Sequence, residues 1–142
     1  MERPQIVLDT NILYAALRSK RGASYKLLSL INSGKFEINL SVPLVIEYED
    51  VLKGKQDMLT ISTSRINQLL DYLCKVGNLH EVFFLWRPII GDPEDDMILE
   101  LAVKAQCDYI ITYNKRDFRG IHRFDIAVAD AKEFLQIIGK LP

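Results

Sequence analysis

The sequence predicts an α/β sandwich built on a mainly parallel sheet, and three observations lead to that expectation. Short aliphatic runs such as Ile6-Val7-Leu8 and Tyr109-Ile110-Ile111-Thr112 read as strands buried on both faces. Longer stretches between them repeat apolar residues three and four apart, the spacing of one helix face. The two kinds of segment alternate along the chain, as strand–helix units do.

Ile6 to Leu8 is the first strand and ends in Asp9-Thr10-Asn11. Residues from about Asn11 to Leu17 are expected to be helical, with Thr10 and Asn11 able to cap and so to leave Asp9 for another role. A basic turn, Arg18-Ser19-Lys20-Arg21-Gly22, precedes a helix with Leu27, Leu28 and Ile31 on one face. Asn32-Ser33-Gly34 ends it with residues that tolerate left-handed backbone. Phe36 to Leu40 alternates as a second strand, and Pro43 opens a helix to about Lys53 as its first residue. The stretch 54–60 reads as a loop, after which Ser62, Thr63 or Ser64 caps a helix carrying Ile66, Leu69, Leu70 and Leu73. Leu79 to Leu85 is a third strand. Asp92 as cap and Pro93 as first residue start a helix running to about Gln106. Tyr109 to Thr112 is a fourth strand and Ile126 to Val128 a fifth. Asp130 with Glu133 forms a capping box for the last helix.

No repeat, low-complexity tract or Gly/Ser-rich linker divides the 142 residues, so residues 1–142 are read as one domain. Hydrophobic residues at 49% and charged residues at 26% fit a globular chain rather than a disordered one. A net charge of −1 without a long run of either sign gives no support to a protein that coats polyanions, so any grip on nucleic acid must be local. The first eight residues are too short and polar for a signal peptide, and no stretch approaches the roughly 18 apolar residues of a membrane span. The cytosol is the expected compartment. Cys74 and Cys107 lack metal-ligand spacing and sit among apolar residues, so both are expected to be buried free thiols.

The candidate chemistry is carried by acids. Ligands of open parallel sheets bind beyond the carboxyl ends of the strands, where Asp9 lies. Its ordinary role would be a helix cap. Glu47 falls in the row Leu44–Glu47–Val51, so a carboxylate projects from the side of its helix that should be buried. Glu49 faces Lys53 one turn on and needs only a solvated pair. Asp95 heads the apolar stripe of Ile98, Leu99 and Ala102 and ranks first, whereas Asp92 has work as a cap and Asp96 suits a helix N-terminus, which leaves these two as supporting candidates in the outer shell of the site. Thr112 ends the fourth strand at the same edge, followed by Asn114 and Asp117 in a segment that could simply be a polar turn.

Together, Asp9, Glu47, Asp95 and Asn114/Asp117 are expected at one edge of the sheet. Several carboxylates in one pocket repel, and some would be driven neutral without a cation. Oxygen donors without nearby His or Cys suit Mg²⁺ or Mn²⁺ rather than zinc, and such ions suit phosphodiester hydrolysis. Arg18, Lys20 and Arg21 on one side, and Lys115, Arg116, Arg119 and Arg123 on the other, could hold a phosphate backbone or be plain solvated surface.

Four pieces then resemble the PIN-domain family, in particular its toxin-like bacterial and archaeal branch. They are Val7-Leu8-Asp9-Thr10-Asn11; Ser41-Val42-Pro43 through Glu47-Tyr48 to Val51-Leu52; Asp92-Pro93-Glu94-Asp95 leading to Leu99-Glu100-Leu101-Ala102; and Asp108-Tyr109-Ile110-Ile111-Thr112 with Asn114 and Asp117-Phe118. Their order covers almost the whole chain. The resemblance implies a three-layer α/β fold, cleavage of single-stranded RNA dependent on Mg²⁺ or Mn²⁺, frequent dimers, and a small antitoxin that occupies the groove of many toxin-like members. It also implies that Asp9, Glu47 and Asp95 ligate metal, with Asn11 and Thr112 in support and Thr112 ordering the loop. The family often has an acid where this chain has Asn114, which leaves Asp117 to take over and both one-ion and two-ion sites open.

Two rivals compete. An aspartyl-phosphate phosphotransfer domain would use Asp9 as nucleophile, but the second acid that haloacid-dehalogenase-like enzymes need is here Asn11. A non-catalytic RNA-binding or regulatory module on the same fold would account for Asn114.

Overall fold

The computed structural model describes residues 3–82 and 93–141. Among them five strands, β1 (Gln5–Leu8), β2 (Glu37–Leu40), β3 (Asn78–Leu79), β4 (Tyr109–Ile111) and β5 (Ala127–Ala129), form one sheet in the order β3-β2-β1-β4-β5. Every neighbouring pair is parallel. Parallel pairs require long crossovers. Helices α1 (Thr10–Arg18), α2 (Ala23–Ser29), α3 (Val42–Gly54), α4 (Gln56–Leu59), α5 (Thr63–Val76), α6 (Pro93–Lys104) and α7 (Ala131–Ile137) supply them and complete a three-layer α/β/α sandwich. The strands are aliphatic because both faces are covered: Val7 and Leu8 stand opposite Ile110 and Ile111, and all four are buried.

From β1 the chain builds outward through β2 to β3, then returns to the other flank of β1 for β4 and β5. The direction of winding therefore reverses between β1 and β4, the place where open α/β sheets leave a crevice at the carboxyl ends of their strands. Receiver-like phosphotransfer domains have a different order, 2-1-3-4-5.

Several boundaries differ from the sequence expectation. Helix α1 starts one residue earlier, so Asp9 itself is its cap. Ser41 caps α3 through the Leu44 N–H, which makes Pro43 the second helical residue rather than the first. That position also has no intrahelical acceptor for an N–H, so proline costs nothing there. The loop expected over 54–60 contains the single turn α4, too short to show a periodicity. Ser62 is the one of three candidates that caps α5. In β2 the polar position does not face water: Asn39 is buried, donating to the Gln5 side chain and the Ile6 carbonyl. Helix α6 stops at Lys104 because Gln106 takes a left-handed backbone (φ 54°) and Cys107 N–H closes onto the Ala102 carbonyl.

The third strand, expected over Leu79–Leu85, is only Asn78–Leu79: residues 80–82 are not strand, while 83–85 and the cap expected at Asp92 lie outside the described residues. Cys107 is a buried free thiol, but Cys74 is exposed. Helix α5 buries Ile66, Leu70 and Leu73, and Cys74 is turned off that stripe. No helix among the described residues is long and apolar enough to cross a membrane.

Candidate active site

At the point where the winding reverses lies a cleft of about 410 Å³ lined by Asp9, Asn11, Glu47, Asp95, Asn114 and Asp117, residues from four separate segments of the chain. Each is carried there by its element. Asp9 follows β1, and its N–H reaches across to the Ile111 carbonyl of β4, which ties the two strand ends together at 2.9 Å. Glu47 sits on α3 beside Tyr48, whose buried hydroxyl donates to the Leu8 carbonyl at 2.5 Å and pins α3 under the end of β1. Asp95 opens α6, which packs on β1 and β4 through buried Ile98, Leu99 and Ala102. Asp117 belongs to a 3₁₀ turn over Lys115–Phe118 that is anchored by buried Phe118, and Asn114 is the residue that precedes it.

Thr112 lies beneath the cleft, fully buried. Its hydroxyl donates to Asp9 Oδ2 at 2.7 Å and accepts from Asn11 Nδ2 at 3.3 Å and from the Asn114 N–H at 3.0 Å. One donor and two acceptors are all a hydroxyl has, so Thr112 is saturated. Asn11 in turn accepts the Tyr113 N–H at 3.2 Å. As a cap, Asp9 accepts only the adjacent Thr10 N–H, at 2.7 Å through Oδ1, while its other oxygen points to Thr112. The helix cap and the Thr112 bond thus use different oxygens of one carboxylate.

The charge balance of the cleft is strongly negative. Burial raises the Asp9 carboxyl above its ordinary value, against the Thr112 and Thr10 hydrogen bonds, and the charges of Asp117 and Glu94 raise it further. Glu47 is raised by burial first, then by Glu94, Asp50 and Asp9, and it shares a hydrogen bond with Glu94. The donor set is all oxygen, the chemistry of a hard divalent cation. Among the described residues no three His, Cys, Asp or Glu are gathered into a ready-made coordination sphere. What the structure shows is the donor set lining one open cleft.

The remaining candidates fall elsewhere. Asp96 is buried and does not line the cleft, and Asp92 lies outside the described residues. Arg18, Lys20, Arg21, Lys115, Arg116 and Arg119 are exposed and none lines the cleft, while nothing is described of the Arg123 side chain. Lys115 pairs with Glu133 at 2.7 Å, the glutamate of the α7 capping box. Conversely, Glu94, Tyr14 and Lys55 line the cleft although the sequence did not single them out. Glu94 was masked by the three acids around it in a helix start. Tyr14 stands one turn after Asn11 on α1, a face shared with the cleft residues, and that spacing could have found it. Lys55 sits where the sequence shows only a loop.

A sequence model described as PIN domain matches residues 5–116, a span that holds Asp9, Asn11, Glu47, Asp95, Thr112 and Asn114 and stops one residue short of Asp117. No curated protein sequence matches the chain. Among solved structures, the chain is similar to one in the crystal structure of VapBC2 from Rickettsia felis bound to a DNA fragment from their promoter. The TM-score is 0.60 at 15% identity, covering 88% of this chain and 98% of that one. At that identity the likeness speaks for the fold.

Proposed function

The chain belongs to the PIN-domain family, and from that premise we propose that it is a ribonuclease that hydrolyses phosphodiester bonds of single-stranded RNA with Mg²⁺ or Mn²⁺. The observation that carries the reading is the convergence of Asp9, Glu47, Asp95 and Asp117 from four segments into one cleft at the reversal of the sheet's winding. Asp9 and Asp95 would hold the ion, with Glu47, Asn114 and Asp117 completing the oxygen set. When bound, the cation polarises the phosphoryl oxygen and lowers the pKa of an attacking water. Thr112 and Asn11 keep the Asp9 carboxylate in one orientation. Glu47, raised by burial first and then by the acids around it, is the group best suited to exchange a proton with that water.

We further propose that the protein acts in the cytosol as a homodimer and as the toxin of a toxin–antitoxin pair, restrained by a small antitoxin protein. The resemblance to toxin-like members and the VapBC2 neighbour support that reading.

Purified protein should cut single-stranded RNA with Mn²⁺, lose activity with a chelator, and lose it in Asp9→Asn and in Asp95→Asn with circular dichroism unchanged. Wild-type cleavage by both variants would refute the site. Asn114, exposed where an acid is usual, favours a second reading: a weakly active or non-catalytic RNA-binding module. Calorimetric titration with Mn²⁺ separates the two, because that module should bind no ion that Asp95→Asn abolishes.

A further inference from the structure

Lys55 is the sole cation lining the carboxylate cleft among the described residues. The turn from α3 to α4 sets its place: its N–H closes onto the Leu52 carbonyl, and its own carbonyl accepts the Leu59 N–H. In a cleft lined by Asp9, Glu47, Glu94, Asp95 and Asp117, an ammonium would be expected to collapse onto a carboxylate. It does not. Among the described residues Lys55 forms no ion pair, and its Nζ lies instead over the ring of Tyr14, 4.8 Å from the centroid. A lysine at the carboxyl end of a helix favours the helix dipole, which explains an exposed basic residue after α3 but not its seat on a tyrosine that lines the cleft. The ring attracts the cation through its face and leaves the ammonium's other donors open to an anion.

We infer that Lys55 is the phosphate-binding residue of this cleft, with Tyr14 as the platform that keeps its ammonium off the acids until RNA arrives. The inference rests on the reading of the cleft as an RNA-cleaving site. Lys55 takes a backbone phosphate beside the acids, leaving the scissile phosphate to the acids and their ion. A compact charge on a flexible stem suits a backbone phosphate and reads no base.

Lys55→Gln keeps most of the stem and removes the charge. Binding of a fluorescein-labelled oligouridylate, followed by anisotropy in Ca²⁺ over a salt series, should weaken several-fold at low salt. Its logarithmic salt slope should be shallower by about 0.7, the share of one phosphate contact on a single strand. Lys55→Arg should restore both. Tyr14→Phe should bind as wild type and Tyr14→Leu less well. In steady-state cleavage Lys55→Gln should raise KM with kcat held. Equal affinity and slope for Lys55→Gln and wild type, or no binding by wild type, would overturn the inference. Lys55-dependent binding without any cleavage would instead overturn the nuclease reading and leave the phosphate contact standing.

Discussion

Thr112 shows how much one side chain can organise. Its saturated hydroxyl joins Asp9, Asn11 and the start of the Asn114 turn, so the two strand ends and the loop share one atom. Thr112→Val keeps the shape and leaves those three partners short of a hydrogen bond in a buried place. The expected cost is about 1–3 kcal/mol in urea unfolding, with a parallel drop in RNA cleavage. Thr112→Ser should keep most of both, and a valine variant as stable and active as wild type would contradict the role given to this hydroxyl. Glu47 was legible as a candidate because an acid in an apolar helical row is rarely buried without cause. Glu94 and Lys55 were not legible, since an exposed acid at a helix start and a lysine in a turn are ordinary surface residues until the fold brings them to the cleft.

At the scale of elements, the caps made the helices readable. Ser62 and the Asp130–Glu133 box each occur as a local pattern and each is seen as a hydrogen bond, whereas Ser41 proves to be the cap of a helix that the sequence opened at Pro43. What did not read out was decided by neighbours. Whether Asn39 faces water depends on the layers covering β2, and whether Cys74 is buried depends on where α5 turns its stripe. The join from α5 to β3 is the tightest of these contacts. A Cβ on Gly77 would meet the Leu73 carbonyl oxygen at 2.8 Å and the side chains of Leu40 and Ile38 at 2.9 and 3.1 Å. Backbone cannot step aside as a side-chain tip can, so Gly77→Ala should destabilise by about 1–3 kcal/mol. Thermal unfolding of that variant checks it. An unchanged midpoint would mean that β3 sits more loosely against α5 than the contacts imply.

For the molecule as a whole, the cleft's negative charge opposes folding when no cation is bound. Asp9 and Glu47 are raised above 3.8 and 4.5, so each favours the folded state fully below those unfolded values. That contribution is lost as pH rises through their higher folded values. Glu133, held low first by its Lys115 bond, has the opposite sign, so the informative comparison is between variants. In chelator, Glu47→Gln should gain stability relative to wild type as pH climbs out of the acidic range, read from urea midpoints at a series of pH values. Mn²⁺ should shrink that gap by stabilising the wild type. A gap that does not change with pH would show that these carboxyls are not strained. The acids that line the cleft belong to four segments spread from Asp9 to Asp117, so the cleft exists only once all four have been made and packed together. A polypeptide still leaving the ribosome without the turn that follows β4 therefore lacks Asn114 and Asp117, one side of the cleft. The cleft is therefore among the last features of the molecule to exist, and it comes into being only with the folded sheet.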